Sequence, residues 1–270
     1  MRDLFNINGK VIVITGGTGV LGSVIATYLA GEGASVVILG RRIEPGEALV
    51  KEIRNKGGEA LFLETDVLNE EKLTQNREEI LTRYGRIDVL LNGAGGNMSG
   101  ANIAPERTFF DLDMDQFDQV VKLNLTGSVL PSQIFLQPMV QQKKGVILNF
   151  SSMAAFRPMT RVVGYAAAKA GITNFTQFLA TEVATKFGEG IRVNAVAPGF
   201  FLTEQNRELL TNPDGSYTQR GKDVIRQTPF KRMGRPEELC GTIHYLVSDA
   251  SSFVTGSTIT VDGGFNAFAM

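Results

Sequence analysis

Residues 11–22 of the chain, VIVITGGTGVLG, decide its fold. The first five residues are all β-branched, which favours a strand, and glycines follow at positions 16, 17, 19 and 22. Residues Gly22–Gly33 then carry apolar side chains at helical spacing and finish on Gly31-Glu32-Gly33, a helix stop signal. This stretch therefore predicts a strand, a glycine-rich turn and a helix in direct succession.

Apolar runs like the first one recur along the chain, with helical patterns between them. Their shortness and weak alternation are typical of strands buried on both faces of a parallel sheet, and right-handed crossovers place helices on both faces. The predicted strands are Val11–Thr15, Val36–Leu39, Ala60–Leu63, Val89–Asn92, Val146–Phe150, Arg192–Ala197 and Thr258–Val261. The predicted fold class is α/β: a Rossmann-type, doubly wound sheet of about seven parallel strands in a three-layer α/β/α arrangement.

The composition agrees with a globular protein. Of 270 residues, 43% are hydrophobic and 20% are charged, which excludes disorder as the main state. No shift in composition marks a linker, so we predict a single domain over residues 1–270. The 30 glycines exceed the usual share, and many of them fall in the motifs described below.

Charge and residue usage exclude several classes of function. With 27 basic and 28 acidic residues the net charge is −1, which does not attract nucleic acid or an anionic membrane surface. The N-terminus lacks an apolar signal segment and no apolar run approaches ~20 residues, so we expect no membrane partner and a cytoplasmic location. The chain has one cysteine, Cys240, and one histidine, His244, and we expect no metal site.

Two stretches that follow strand ends look irregular, Gly95–Asp111 and Phe200–Pro236. Ligands of open α/β sheets bind outside the carboxyl ends of the strands, so both stretches are candidate substrate loops. Surface loops without a ligand role are the alternative. The second region, at about 200–236, is too long for a simple connection.

The glycine-rich turn predicts a phosphate-binding site. Such a turn exposes backbone N–H groups at a helix N-terminus, where the helix dipole favours an anion such as a pyrophosphate. A tight turn without a ligand is the alternative, but the position after the first strand favours dinucleotide binding. The candidate residues are Gly16, Thr18, Gly19, Val20 and Leu21.

The end of the second strand bears on the choice of dinucleotide. In this position a carboxylate accepts from the 2′-hydroxyl of NAD, whereas an arginine accommodates the 2′-phosphate of NADP. The strand ends in Leu39-Gly40-Arg41-Arg42, so NADP(H) is favoured; NAD(H) is the alternative if the arginines are only solvated. Asp66, followed by Val67 after the third strand, could accept from the adenine amino group.

Four polar residues form a candidate catalytic group. Tyr165 and Lys169 are four residues apart on a predicted helix and share a face, so the ammonium can lower the pKa of the phenol. Ser152 ends a strand, where it can bond a substrate oxygen whose charge changes during hydride transfer. Asn124 lies in a helical pattern although asparagine is a poor helix former, which hints at a role for its side chain.

These residues stand in the motifs of the short-chain dehydrogenase/reductase family, which the sequence resembles over essentially its whole length. The similarity also includes Asn92-Gly93-Ala94-Gly95, Ser151-Ser152, Pro198-Gly199 with Thr203, and Val261-Asp262-Gly263-Gly264. Two details depart from the family pattern: Val20 stands where a glycine is usual, with Gly19 one place earlier, and Gly93 replaces an asparagine.

The resemblance implies roles for these residues. Tyr165 would be the acid/base, with its pKa lowered by Lys169 and by the oxidised nicotinamide, Lys169 would also hold the nicotinamide ribose, Ser152 would polarise the substrate carbonyl, and Asn124 would organise a water. The expected cofactor site extends to Asn92, Gly93, Ala94, Tyr165, Lys169, Pro198, Gly199, Phe201 and Thr203. Because the family is mostly tetrameric, the resemblance also implies a homotetramer.

The loop residues favour an anionic, hydroxylated substrate. Arginine matches a carboxylate bidentately and amides suit hydroxyls, so a small sugar acid would use such a set well. Solvated surface side chains are the alternative. The candidate substrate residues are Arg157, Arg161, Gln205, Asn206, Arg207 and Asn97.

Within the family, residues 92–97, 156–161, 198–207 and 252–265 resemble the D-mannonate oxidoreductases of the short type, also called fructuronate reductases. That resemblance implies interconversion of D-mannonate and D-fructuronate. Alternatives are another sugar or polyol dehydrogenase, such as a gluconate 5-dehydrogenase, or a 3-oxoacyl thioester reductase. A non-catalytic dinucleotide-binding protein is a further alternative, against which the complete tetrad argues.

Overall fold

One parallel sheet of seven strands forms the centre of the computed structural model, which describes residues 3–268 apart from the side chains of residues 204–206. The strands are β1 Val11–Thr15, β2 Ser35–Gly40, β3 Glu59–Glu64, β4 Val89–Asn92, β5 Gly145–Phe150, β6 Ile191–Pro198 and β7 Thr258–Val261. They lie in the order β3-β2-β1-β4-β5-β6-β7. The predicted fold class is confirmed, and each predicted strand differs by no more than one residue at either end.

Helices cover both faces of the sheet. They are α1 Val20–Gly31, α2 Ile43–Asn55, α3 Glu70–Tyr84, α4 Met114–Val121, α5 Gly127–Gln142, α6 Val163–Phe187, α7 Glu204–Leu210, α8 Gln219–Gln227 and α9 Cys240–Val247. Helices α1, α2 and α9 pack on one face, where Ile12 and Ile14 point. Helices α3, α5 and α6 pack on the other, against Val11 and Val13. Both faces of β1 are therefore buried, which explains its uninterrupted apolar run.

The order in which strands are added to the sheet changes direction between β1 and β4, although all strands run parallel. Crossovers lead outward from β1 to β2 and β3 on one side, and from β4 to β5, β6 and β7 on the other. Loops that leave the carboxyl ends of β1 and β4 therefore diverge and open a crevice between them, where open α/β sheets bind their ligands.

The region 200–236 is more regular than expected. It contains two helices, α7 and α8, joined by a turn at residues 211–218, so the prediction of an irregular loop was wrong here. The helices are short and mostly polar, which gave little periodic signal. The stretch Gly95–Asp111 is largely irregular, with single 3₁₀ turns at Ser99–Ala101 and Phe109–Asp111.

The only cysteine and histidine of the sequence lie on α9. His244 bonds the carbonyl of Phe5 through Nε2, at 2.6 Å, and the Tyr28 hydroxyl through Nδ1, at 2.9 Å. Burial raises the pKa of the Cys240 thiol to about 11. Among the side chains that the structure describes, no three of His, Cys, Asp or Glu come together as a metal site would require. No described helix combines the length and apolarity needed to cross a membrane.

Candidate active site

The turn between β1 and α1 can be built only with glycine at two positions. Gly16 has a φ of +68°, and a Cβ there would lie 2.8 Å from the backbone of Ala94. A Cβ on Gly22 would lie 2.5 Å from the Gly16 carbonyl oxygen. The close approach lets β1 turn tightly into α1 beneath the loop that follows β4.

The N-terminus of α1 has the properties of an anion site. Its N-cap, Gly19, offers no side-chain bond, and the first turn holds no acidic residue. The N–H groups of the first helical residues therefore lack intrahelical partners and face outward with the positive end of the helix dipole.

A cavity of about 390 Å³, which we call the outer cavity, lies over this turn. Its walls include most of the residues predicted to bind a dinucleotide: Gly16, Thr18, Gly19, Val20, Leu21, Arg41, Arg42, Asp66, Val67, Gly93, Ala94 and Thr203. The cavity runs from the helix terminus to the ends of β2 and β3, which is the direction a dinucleotide takes from pyrophosphate to adenosine.

The charged groups of the outer cavity are largely available to a ligand. Arg41 and Arg42 are exposed; Arg42 donates to the Thr18 carbonyl at 3.3 Å, and neither guanidinium pairs with a carboxylate of the described residues. Asp66 is exposed and accepts from the Leu68 N–H at 3.0 Å.

A second cavity of about 220 Å³, the inner cavity, adjoins the outer one and shares Leu21, Gly93, Gly95 and Thr203 with it. The structure brings together around it all four members of the predicted tetrad and the predicted residues that follow β6: Asn124, Ser152, Tyr165, Lys169, Pro198, Gly199 and Phe201. Residues as far apart in sequence as Leu21 and Thr203 thus surround one small space.

Burial sets the protonation of Tyr165. It raises the pKa of the phenol above its usual value, whereas a hydrogen bond from Ser152 acts in the opposite direction. The expected lowering by Lys169 is not observed, because burial dominates and the ammonium, 5.4 Å from the ring centroid, donates instead to the Phe150 carbonyl at 2.7 Å. Tyr165 is thus held as a neutral proton donor.

Lys169 is itself destabilised as a cation. Its side chain is buried, and burial lowers its pKa to about 8. Its bond to Phe150 anchors it at the end of β5, beside Ser152. A buried ammonium with few partners attracts hydroxyl and carbonyl oxygens of a ligand.

Asn124 lies in a π-helical turn, Lys122–Thr126, between α4 and α5. Its amide donates to the carbonyls of Val120 and Gly96, at 2.8 and 2.7 Å, and its oxygen accepts from the Gly96 N–H at 3.3 Å. The side chain thus ties the loop after β4 to the widened turn. π turns of this kind occur frequently at functional sites.

Asn92 lines neither cavity, although it was predicted to bind the cofactor. Its side chain donates to Ser132 and to Asn149, both at 2.8 Å, and is fully enclosed between β4, β5 and α5. Through these bonds Asn92 fixes the end of β4 to β5 and α5.

The four predicted substrate residues whose side chains the structure describes line neither cavity. Arg157 donates to the Phe265 carbonyl at 2.8 Å and lies 5.4 Å from that ring, so it is engaged with the C-terminal segment. Asn97 bonds Asn102 at 2.8 Å, Arg207 is exposed on α7, and Arg161 precedes α6 with a φ of +80°. The side chains of Gln205 and Asn206 lie outside the described residues.

Sequence reasoning assigned no site role to two residues that line the cavities, Gly95 and Leu123. A Cβ on Gly95 would lie 2.6 Å from Asn124 Oδ1, so only glycine lets the loop pack on the π turn. Leu123, in that turn, lines the outer cavity. Gly95 is the second glycine after β4, and this repeated glycine was a signal for its role, whereas nothing in the sequence distinguishes Leu123.

Known proteins resemble this chain over nearly all of its length. Residues 10–214 match the sequence model of the short chain dehydrogenase family. An uncharacterized oxidoreductase of Bacillus subtilis (strain 168), UxuB, is 46% identical over 98% of this chain and 97% of its own length. A 3-oxoacyl-[acyl-carrier-protein] reductase, FabG, of Aquifex aeolicus is 36% identical over 96% of this chain and 98% of its own.

Solved structures match as well. A Haemophilus influenzae protein with the provisional name D-mannonate oxidoreductase, with bound NAD, is 41% identical with a TM-score of 0.92, covering 98% of this chain and 97% of that one. A gluconate 5-dehydrogenase of Burkholderia cenocepacia J2315, in complex with NADP and tartrate, is 31% identical with a TM-score of 0.88, covering 99% of each chain.

Proposed function

Because this chain belongs to the short-chain dehydrogenase family and is an oxidoreductase acting on a CH–OH group, we propose that it interconverts the alcohol and ketone forms of a sugar acid, D-mannonate and D-fructuronate. The observation that carries the reaction is the convergence of Asn124, Ser152, Tyr165 and Lys169 on a cavity that adjoins the glycine-rich turn.

The residues of the outer cavity fit a nicotinamide dinucleotide. The turn has no room for a Cβ at Gly16 or Gly22, and the open N-terminus of α1 would hold the pyrophosphate. Asp66 would accept from the adenine amino group, and Thr203 would bond the nicotinamide end. When bound, the cofactor supplies or accepts the hydride.

In the proposed reduction, the substrate carbonyl oxygen lies between Ser152 and Tyr165. The Ser152 hydroxyl donates to this oxygen and stabilises the negative charge that develops on it. Tyr165 Oη then gives its proton to the oxygen, which yields the alcohol. In the oxidation, the phenolate takes the proton back.

Lys169 and Asn124 support this proton transfer. A charged Lys169 stabilises the phenolate left on Tyr165 and bonds the ribose hydroxyls of the cofactor. Asn124 holds the loop at Gly96 and positions a water from which Tyr165 recovers its proton.

The sugar-acid assignment rests on two lines of support. The Haemophilus relative carries the name of a D-mannonate oxidoreductase, and the Burkholderia relative, a gluconate 5-dehydrogenase, was solved with the hydroxy acid tartrate. In addition, three arginines that could match a carboxylate, Arg157, Arg161 and Arg207, follow β5 and β6 in sequence.

For the cofactor we propose a preference for NADP(H) over NAD(H). Arg41 and Arg42 have no carboxylate partner among the described residues and stand where the 2′-phosphate would lie. The two solved relatives hold NAD in one case and NADP in the other.

The remaining parts of the proposal concern the whole protein. We propose that residues 1–270 act as one domain, in the cytoplasm, and assemble as a homotetramer. Large exposed aromatic side chains, such as Phe178 and Phe253, would be covered in such an assembly. Light scattering tests the homotetramer, because the mass of the particle in solution should be four times 29.3 kDa.

The mechanism is tested by Tyr165→Phe with a panel of sugar acids and their keto forms, each with NADH and NADPH. We expect turnover of D-fructuronate by the wild type, loss of turnover in the variant, and unchanged cofactor affinity measured by fluorescence. Full activity of Tyr165→Phe would refute the mechanism. Turnover of gluconate with inert D-fructuronate would refute the substrate.

A 3-oxoacyl thioester reductase is the second candidate, since FabG of Aquifex aeolicus is a relative. A thioester reductase needs a surface for its carrier and an apolar channel for the acyl group. The charged side chains of Arg157 and Arg161, on the segment between Ser152 and Tyr165, disfavour such a channel. Turnover of acetoacetyl thioesters would support this alternative.

A further inference from the structure

Arg220, on α8, lies against the segment that joins Ser152 to Tyr165. Its Nη1 is 3.5 Å from Thr160 Oγ1 and its Nη2 is 3.4 Å from the Thr160 carbonyl. Thr160 lies only five residues before Tyr165, although 60 residues separate it from Arg220. The α7–α8 region thus brings a guanidinium to the segment that leads from Ser152 to Tyr165.

The guanidinium of Arg220 is poorly satisfied. Its Nε is buried and finds no hydrogen-bond partner in the part of the chain that the structure describes, and both bonds to Thr160 are long. Among the described residues no carboxylate forms an ion pair with it. Asp223, on the same helix, pairs instead with Arg226 at 3.1 Å. Leaving a buried N–H without a partner is unfavourable, so a ligand that accepts from this group would stabilise the arrangement.

A second guanidinium is held close by. Burial lowers the pKa of Arg220, and the charge of Arg161 lowers it further. Arg161 adopts a φ of +80°, which a non-glycine residue rarely does, and its carbonyl accepts from the Ile103 N–H at 2.8 Å. Strained backbone of this kind clusters at ligand sites, and here it holds two like charges near one another.

We propose that Arg220 and Arg161 together bind the carboxylate of the substrate. This inference rests on the proposed function and names residues that select its anionic substrates. A carboxylate between the two guanidiniums would offset their repulsion and accept hydrogen bonds from the N–H groups of both. Arg157 is excluded from this role, because its guanidinium is engaged by the carbonyl and ring of Phe265.

The test compares Arg220→Gln with Arg226→Gln, an exposed arginine of the same helix. Reduction of D-fructuronate and 5-keto-D-gluconate is measured beside that of the neutral ketose D-fructose. We expect Arg220→Gln to raise KM for the keto acids at least tenfold with little change in kcat. The ratio of kcat/KM for keto acid over ketose should fall tenfold, and Arg226→Gln should match the wild type.

Two further measurements keep the result interpretable. NADPH binding by fluorescence shows that Arg220→Gln is folded, and Arg220→Lys, which keeps a charge, should recover part of the lost affinity. An unchanged KM for keto acids, or an equal rise for fructose, overturns the inference. If the wild type reduces no sugar acid at all, the proposed function itself fails, which is a distinct outcome.

Discussion

Lys169 illustrates how a single buried charge can work against stability. Its side chain is buried, its pKa falls to about 8, and one hydrogen bond, to the Phe150 carbonyl, offsets part of the loss of hydration. A fall from 10.5 to about 8 corresponds to at most ~3 kcal/mol of differential interaction between the two protonation states. Evolution retains such a group where a ligand needs it.

We therefore expect Lys169→Met to raise the free energy of unfolding by about 1–3 kcal/mol at pH 7 while abolishing turnover. Below pH 8 both folded and unfolded states carry the ammonium, so the folded protein bears the full unfavourable energy. As the pH rises from 8 towards 10.5, the folded state loses its proton first, and the wild type gains stability. The advantage of the variant should thus shrink.

Urea unfolding at pH 7 and pH 10 measures this difference, with Lys186→Met as the control, since Lys186 is exposed on the same helix and pairs with Glu182. A variant less stable than the wild type at pH 7, or an advantage that grows with pH, would contradict the expectation.

The raised pKa of Tyr165 gives opposite pH profiles for the two directions of reaction. Reduction needs the protonated phenol and should be lost as the pH rises through its pKa, whereas alcohol oxidation needs the phenolate and should increase towards alkaline pH. Because the bond from Ser152 lowers this pKa, Ser152→Ala should move the oxidation profile to higher pH. Profiles of kcat/KM that extend from neutral pH to about pH 11.5, beyond the usual pKa of a phenol, measure the shift. An oxidation profile that stays in place, or moves to lower pH, would contradict this role of Ser152.

The individual site residues differed in how far they could be predicted. Ser152, Tyr165 and Lys169 were accessible because the chemistry restricts both residue type and spacing. Arg220 was not, because only the folded protein brings it to Thr160. Asn92 stands in the expected motif, but its side-chain amide bonds Asn149 and Ser132 and so ties β4 to β5 and α5. These partners are remote in sequence, so this role could not be predicted.

At the scale of elements, the glycine-rich turn should be the least tolerant part of the chain. Gly16→Ala would force a Cβ to 2.8 Å from backbone atoms at a positive φ, so the turn must open and the N–H groups lose their arrangement. We expect cofactor affinity to fall at least tenfold, measured by fluorescence titration. Gly31→Ala, at the end of α1 with nothing within 4 Å of the new Cβ, is the matched control and should bind normally. Equal affinity of the two variants would contradict a phosphate site here.

Strands were easier to predict than the short helices. Runs of β-branched residues follow directly from burial on both faces of a parallel sheet, and they are nearly independent of the rest of the sequence. Helices α7 and α8 depend instead on packing within a small cluster of Leu210, Val224 and Met233, which no local periodicity reveals. Likewise, the poor helix propensity of Asn124 marked a special position, but its π turn requires the contact with Gly96.

At the scale of the whole molecule, the near-zero net charge conceals local organisation. Arg41 and Arg42 line the outer cavity, whereas Arg220 contacts Thr160, which lies with Arg161 on the segment between Ser152 and Tyr165. An anionic cofactor and an anionic substrate would therefore contact different arginines and meet at Tyr165. This separation allows the two recognition steps to be varied independently.

If different arginines recognise the cofactor and the substrate, changes at Arg41 and Arg42 should alter only how strongly dinucleotides stabilise the folded protein. A ligand that binds only the folded state at a hundred times its Kd adds about 2.7 kcal/mol to the free energy of unfolding, which shifts the melting temperature of a protein of this size by several degrees. We expect NADPH to raise the melting temperature more than NADH at equal concentration. Because Arg41 and Arg42 would contact only the 2′-phosphate, replacing both with alanine should remove the excess for NADPH and leave the shift with NADH, while the affinity for keto acids stays unchanged. Equal loss of both shifts would mean that the arginines support the turn through the bond from Arg42 to Thr18 rather than selecting the cofactor.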